Sequence, residues 1–143
     1  MIAITGSGEY LSGMLYADAK LLSKIEDRPK VLTFPTAAGK ESSSRIDYWC
    51  DLATSHFSNF DVDHKNIKAL KQNDFFDDKL IEEVKKANFI YFSGGNPTYL
   101  YETIKNTPFF NEVMNIHNNG GVVAGCSAGA VSYTHLTLPT RLS

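Results

Sequence analysis

Little in this sequence points away from an ordinary globular domain. Only two cysteines occur in 143 residues, Cys50 and Cys126, with no pairing motif around either. A disulfide-stapled secreted scaffold is therefore not expected, and free thiols in a reducing compartment are, a single Cys50–Cys126 pair being the alternative. No apolar run approaches the ~18 residues of a membrane span. Residues 1–6 lack the basic start and the apolar length of a signal peptide. Neither sign of charge dominates: 14 Lys and Arg face 16 Asp and Glu, for a net −2. That leaves no electrostatic footprint for nucleic acid or an anionic membrane surface. No His, Cys, Asp and Glu cluster has metal-ligand spacing, so neither metal nor cofactor is expected. Repeats, low-complexity stretches and interdomain linkers are missing as well. These absences leave one cytoplasmic domain, long enough to bury a core unaided.

What is present is an alternation of short apolar runs and longer amphipathic ones. Ile2-Ala3-Ile4-Thr5 reads as a strand entering the turn Gly6-Ser7-Gly8-Glu9. Apolar residues at Leu15, Ala19, Leu22 and Ile25 have helical spacing. Lys30-Val31-Leu32-Thr33-Phe34 is a second strand ended by Pro35, and a loop follows at residues 36–39. Serines 42 to 44 cap a helix running to about Phe60, with Ile46, Trp49, Cys50, Ala53 and Phe57 inward. A third strand, thin in apolar residues, is expected around Val62 to Ile67. Asp77 and Asp78 open a helix to about Ala87. Asn88-Phe89-Ile90-Tyr91-Phe92 is a buried strand, and Ser93-Gly94-Gly95-Asn96 turns it into a helix begun by Pro97. A helix from Pro108 to about Asn118 and a buried strand at residues 121–125 complete the series. Strand, turn and helix in this order predict an α/β fold: a mainly parallel sheet with helices on both faces.

Beyond Ala130 the pattern breaks. A strand-to-helix turn there should be followed by an amphipathic helix, yet the chain reads Val131-Ser132-Tyr133-Thr134-His135-Leu136-Thr137-Leu138-Pro139-Thr140. The codons GTC TCT TAT ACA CAT CTG ACG CTG CCG ACG, one frame of a transposase-based sequencing-library adapter, spell it residue for residue. A native edge strand is the alternative. Residues 131–143 are accordingly expected to be an adapter-encoded, non-native tail, leaving residues 1–130 as the amino-terminal part of one domain.

The chemistry-bearing motif is Gly125-Cys126-Ser127-Ala128-Gly129, a G-x-S-x-G turn directly after a buried strand. Small flanking residues permit the strained turn that lifts a serine hydroxyl above the strand ends, and the next N–H can stabilise an oxyanion. Ser127 is the candidate nucleophile. A glycine-rich packing turn or a phosphate-binding turn would use the same residue types. Gly94 and Gly95 form a second turn whose N–H groups can approach a ligand. In parallel sheets ligands bind beyond the carboxyl ends of the strands, so Ser7, Gly8, Glu9 and Asn96 are candidates for a substrate-binding rim. Cys126 is out of register with the crevice. His56, His64 and His117 read as structural or solvated residues on or near surface helices, and His135 falls in the tail.

Gly94-Gly95-Asn96-Pro97 followed by Gly125-Cys126-Ser127-Ala128-Gly129-Ala130 resembles peptidase family S51, the family of dipeptidase E and cyanophycinase. Ile4-Thr5-Gly6-Ser7-Gly8-Glu9 and Phe34-Pro35-Thr36-Ala37-Ala38 are similar to its members too. The resemblance implies a class I glutamine amidotransferase-like αβα sandwich, incomplete at its carboxyl end, and a serine peptidase acting on short peptides, with acidic residues among those cleaved. It implies Ser127 as nucleophile and Ala128 with Gly94 or Gly95 as the oxyanion hole. It also implies an acidic residue and a histidine downstream, which this chain does not carry, so the chain as it stands is expected to be inactive. A small peptide is the expected partner, with homodimerisation open. A non-catalytic ligand-binding domain of the same fold is the alternative reading. A nucleotide binder using Gly6-Ser7-Gly8 lacks a full phosphate-binding fingerprint.

Overall fold

The computed structural model describes residues 1–3 and 9–125. Five parallel strands form one sheet: β1 (Ile2–Ala3), β2 (Lys30–Phe34), β3 (Asp63–Asn66), β4 (Phe89–Phe92) and β5 (Val122–Ala124), in the spatial order β1-β5-β4-β2-β3. Side chains alternate across the sheet. Leu32, Phe34, Ile90, Phe92 and Val123 face one layer, whereas Val31, Phe89, Tyr91, Val122 and Ala124 face the other. On the first face lie α3 (Asp78–Lys85), α4 (Pro97–Ile104) and α5 (Pro108–Asn118). On the second lie α1 (Leu15–Leu22) and α2 (Ser43–Phe57). The architecture is the expected three-layer α/β/α sandwich.

Local chemistry fixes the helix ends. Ser42 Oγ accepts from the Arg45 amide to open α2, and Asp77 does the same for Lys79 at α3. Asn96 caps α4 and Thr107 caps α5, each followed by a first-turn proline whose missing N–H costs nothing there. The loop expected after β2 is instead a 3-10 turn, Thr36–Ala38, tied down by Thr36 Oγ1 donating to the Ala69 carbonyl at 2.7 Å. α1 and α2 stop about three residues short of their expected ends, at Leu22 and Phe57.

The winding locates the site. From β1 to β2 to β3 the crossovers α1 and α2 lie on one face; from β3 to β4 to β5 the chain returns along the sheet with α3, α4 and α5 on the other. β2 and β4 are neighbours whose exits therefore go to opposite faces. This is a topological switch point, where the diverging turns open a crevice at the carboxyl edge.

Candidate active site

The crevice is walled by the exits of β2 and β4. Ser93 closes β4 with its amide and its hydroxyl both donating to the Phe34 carbonyl, each at 3.1 Å. Gly95 sits at φ +144°, and a Cβ there would lie 2.5 Å from the Ala37 backbone, so only glycine lets the β4 exit touch the 3-10 turn after β2. The Asn96 amide completes the contact by donating to the Ala37 carbonyl at 2.8 Å. Asn96 itself is exposed, but its Oδ1 accepts from the Tyr99 amide as the α4 cap.

Glu9 is only 2 % exposed. Its Oε2 would stand 2.8 Å from a Cβ on Gly94, and the Trp49 ring 3.0 Å from the same point, so both side chains converge on this glycine. Tyr10, at φ +66°, packs its ring 4.8 Å from that of Tyr91, with its hydroxyl 3.5 Å from Ser93 Oγ. Because Ser93 donates to Phe34, the Tyr10 hydroxyl is the donor of that pair. Burial pushes its pKa far above the usual tyrosine range and keeps it protonated.

β5 runs beside β4 in register, Tyr91 opposite Ala124, and is followed directly by Gly125. Gly125 has φ +119°, and a Cβ there would lie 2.0 Å from the Phe92 carbonyl oxygen. The first glycine of the G-x-S-x-G run is thus demanded by the backbone, directly beside the Ser93-Gly94-Gly95 turn. Ser127, Ala128 and Cys126, like Ser7 and Gly8 on the proposed rim, lie outside the described residues.

The family model for peptidase family S51 matches residues 1–140. The chain belongs to peptidase family S51. A peptidase from an acI-B1 Actinobacterium superposes with a TM-score of 0.85 at 37% identity, over 92% of this chain and 55% of that one. A Listeria monocytogenes EGD-e protein provisionally assigned as peptidase E shares the fold at a TM-score of 0.62 and 18% identity, over 92% of this chain and 60% of its own. The S51 chain therefore spans little more than half the length of these two structures. No curated protein sequence matches it.

The described histidines of this S51 chain are each engaged by other groups. Of the two readings offered for His56, structural or solvated, the fold selects the structural one: it is buried. It lies beside the inner stripe of α2, and its Nε2 meets Asp18 Oδ2 of α1 at 2.6 Å, with both side chains no more than 1% exposed. Asp18 Oδ1 and His56 Nδ1 have no hydrogen-bond partner among the described residues. Neither Asp18 nor this pairing was signalled by the sequence, because two surface-spaced polar residues on separate helices meet only in the fold. His117 lies near the Met1 amine, 3.1 Å from its Nδ1, at the opposite end of the strands. Cys50 is buried and free, with its thiol pKa raised chiefly by desolvation. A surface hollow of about 350 Å³ between Lys24, Asp27, Asn88 and Gly121 also lies at the amino ends of the strands. Among the described residues no metal-binding cluster occurs, and no helix is long and apolar enough to cross a membrane.

His64 lies within a polar chain between β3 and α2. Thr33 Oγ1 donates to Asn66 Oδ1 at 2.6 Å, so His64 Nε2 donates to Thr33 at 2.9 Å. Burial, with His56 alongside, pushes the His64 pKa down from 6.5 to about 4. The unfolded chain then takes up a proton near pH 6.5 that the folded chain refuses until about pH 4. Stability from this group is complete above pH 6.5 and is lost as pH falls through that window. Allowing for partial exposure, the loss is about 1–2 kcal/mol. Urea unfolding at pH 7 and pH 4 is expected to show that excess loss in the natural chain relative to His64→Gln; equal losses would contradict it.

Proposed function

We propose that the full-length protein is a serine peptidase acting on short peptides, with Ser127 as nucleophile. The Ala128 N–H and one from Gly94 or Gly95 would form the oxyanion hole. The observation that carries this reading is the pairing of two glycine turns on adjacent, in-register parallel strands, with Gly95 and Gly125 both required by their backbone geometry. Family membership implies peptide substrates and supports the assignment. In the proposed reaction Ser127 Oγ adds to the scissile carbonyl, the C–N bond breaks as the amine leaves protonated, and water hydrolyses the resulting ester.

A hydroxyl needs a base, and His56 and His64 are each engaged elsewhere. The proposal therefore places base and acid in the part of the fold that the longer relatives have and this chain does not span. Residues 131–143 remain, on this reading, an adapter-encoded tail. The codon match supports that, the family match through residue 140 stands against it, and genomic DNA beyond codon 130 from an independent library decides it. In the full-length protein, Ser127→Ala should lower kcat/KM for dipeptide hydrolysis by about 10⁴-fold or more. The 143-residue chain should hydrolyse nothing. Robust Ser127-dependent hydrolysis by that short chain would overturn the placement of the missing groups.

A further inference from the structure

Arg45, Tyr48 and Trp49 share one face of the first turns of α2, at i, i+3 and i+4. The Arg45 guanidinium carbon lies 4.7 Å from the Tyr48 ring centroid and 5.3 Å from that of Trp49. Such stacking holds the fork in place yet leaves its N–H edge available, and the Arg45 side chain is 47% exposed. Its carboxylate partner among the described residues, Glu41, is a 3.6 Å contact between two exposed groups, which a better-placed carboxylate can displace at small cost. Trp49 links this cation to the crevice: the far edge of its indole meets Gly94, and its Nε1–H is buried without a hydrogen-bond partner among the described residues. α2 itself begins where β2 opens the switch-point crevice. A guanidinium, an unused indole donor and the glycine turn thus follow one another along a single wall.

We propose that Arg45, seated on Tyr48 and Trp49, anchors a carboxylate of the peptide lying across the Gly94-Gly95 turn. The inference rests on the peptidase reading for its ligand class. Planar bidentate pairing is what a preorganised arginine fork offers a carboxylate.

Trp49 is the only tryptophan in the chain, so its emission reports on this wall without requiring catalysis. The 143-residue chain is titrated with alanyl-alanine, alanyl-alanine amide and aspartyl-alanine amide. A saturable change is expected with alanyl-alanine if the terminal carboxylate is bound, with aspartyl-alanine amide if a side-chain carboxylate is, and with alanyl-alanine amide not at all. Arg45→Met should weaken the response tenfold or more and Arg45→Lys less so, whereas Lys40→Met leaves it unchanged. Glu41→Gln, which removes the competing carboxylate, should tighten it two- to threefold. A melting temperature like that of the natural chain shows that Arg45→Met has folded. A response unchanged in folded Arg45→Met, an equal response to all three peptides, or no saturable response would each overturn the anchor. The peptidase reading would survive, since it depends on Ser127-dependent hydrolysis.

Discussion

Replacing Asp18 by alanine is expected to remove about 3–5 kcal/mol of stability, a large share of what a domain of this size has. The loss follows from what is left behind. His56 keeps its buried position against Tyr10, Phe57 and Phe60 but loses the carboxylate at 2.6 Å that satisfies its Nε2. A buried imidazole with neither nitrogen bonded costs far more than the pair contributes over an apolar substitute. Asp18 Oδ1 and His56 Nδ1 already lack partners among the described residues, so the intact pair is itself imperfect. The double variant Asp18→Leu, His56→Leu should therefore recover most of the loss, ending within about 1 kcal/mol of the natural chain or above it. Urea denaturation of both single variants and the double variant measures this directly. Additive losses would show that the two side chains are not coupled.

Gly125→Ala is expected to be nearly as damaging, by about 3 kcal/mol or more, for a different reason. The new methyl would lie 2.0 Å from the Phe92 carbonyl oxygen, and that obstacle is strand backbone with no rotamer to turn. Relief requires β4 and β5 to part at the end that carries the glycine turns. Gly120→Ala separates the contributions. Gly120 also has positive φ, at +89°, but a Cβ there meets nothing within 4 Å, so only the conformational strain of about 1 kcal/mol should appear. Equal thermal destabilisation of the two variants would mean that the Phe92 contact is unimportant.

The sequence made legible whatever is governed by neighbours along the chain. Ser42, Asn96 with Pro97, and Thr107 with Pro108 mark helix starts through local hydrogen bonding, and α5 occupies the expected span. β4 stood out because it is buried on both faces and therefore apolar at every position. β3, Asp63-His64-Lys65-Asn66, was the least legible strand, since it is an edge strand in which polar and charged residues discourage further pairing. Strand order could not be read at all, because crossovers of similar length serve several orders. The site divides in the same way. Gly94, Gly95 and Gly125 were visible as turns directly after buried strands. Tyr10 behind Ser93, Trp49 against Gly94 and Asp18 against His56 are long-range meetings that no spacing encodes.

The central claim is that the β5 turn presents an activated serine to the crevice beside Gly94. It is tested most directly by treating the folded full-length protein with a fluorophosphonate probe and locating the adduct by mass spectrometry. A single adduct on Ser127, lost in Ser127→Ala, is the predicted result. A folded full-length protein that stays unlabelled, or carries its adduct on another serine, would contradict the claim; the unlabelled result would favour a crevice that binds a ligand without catalysis.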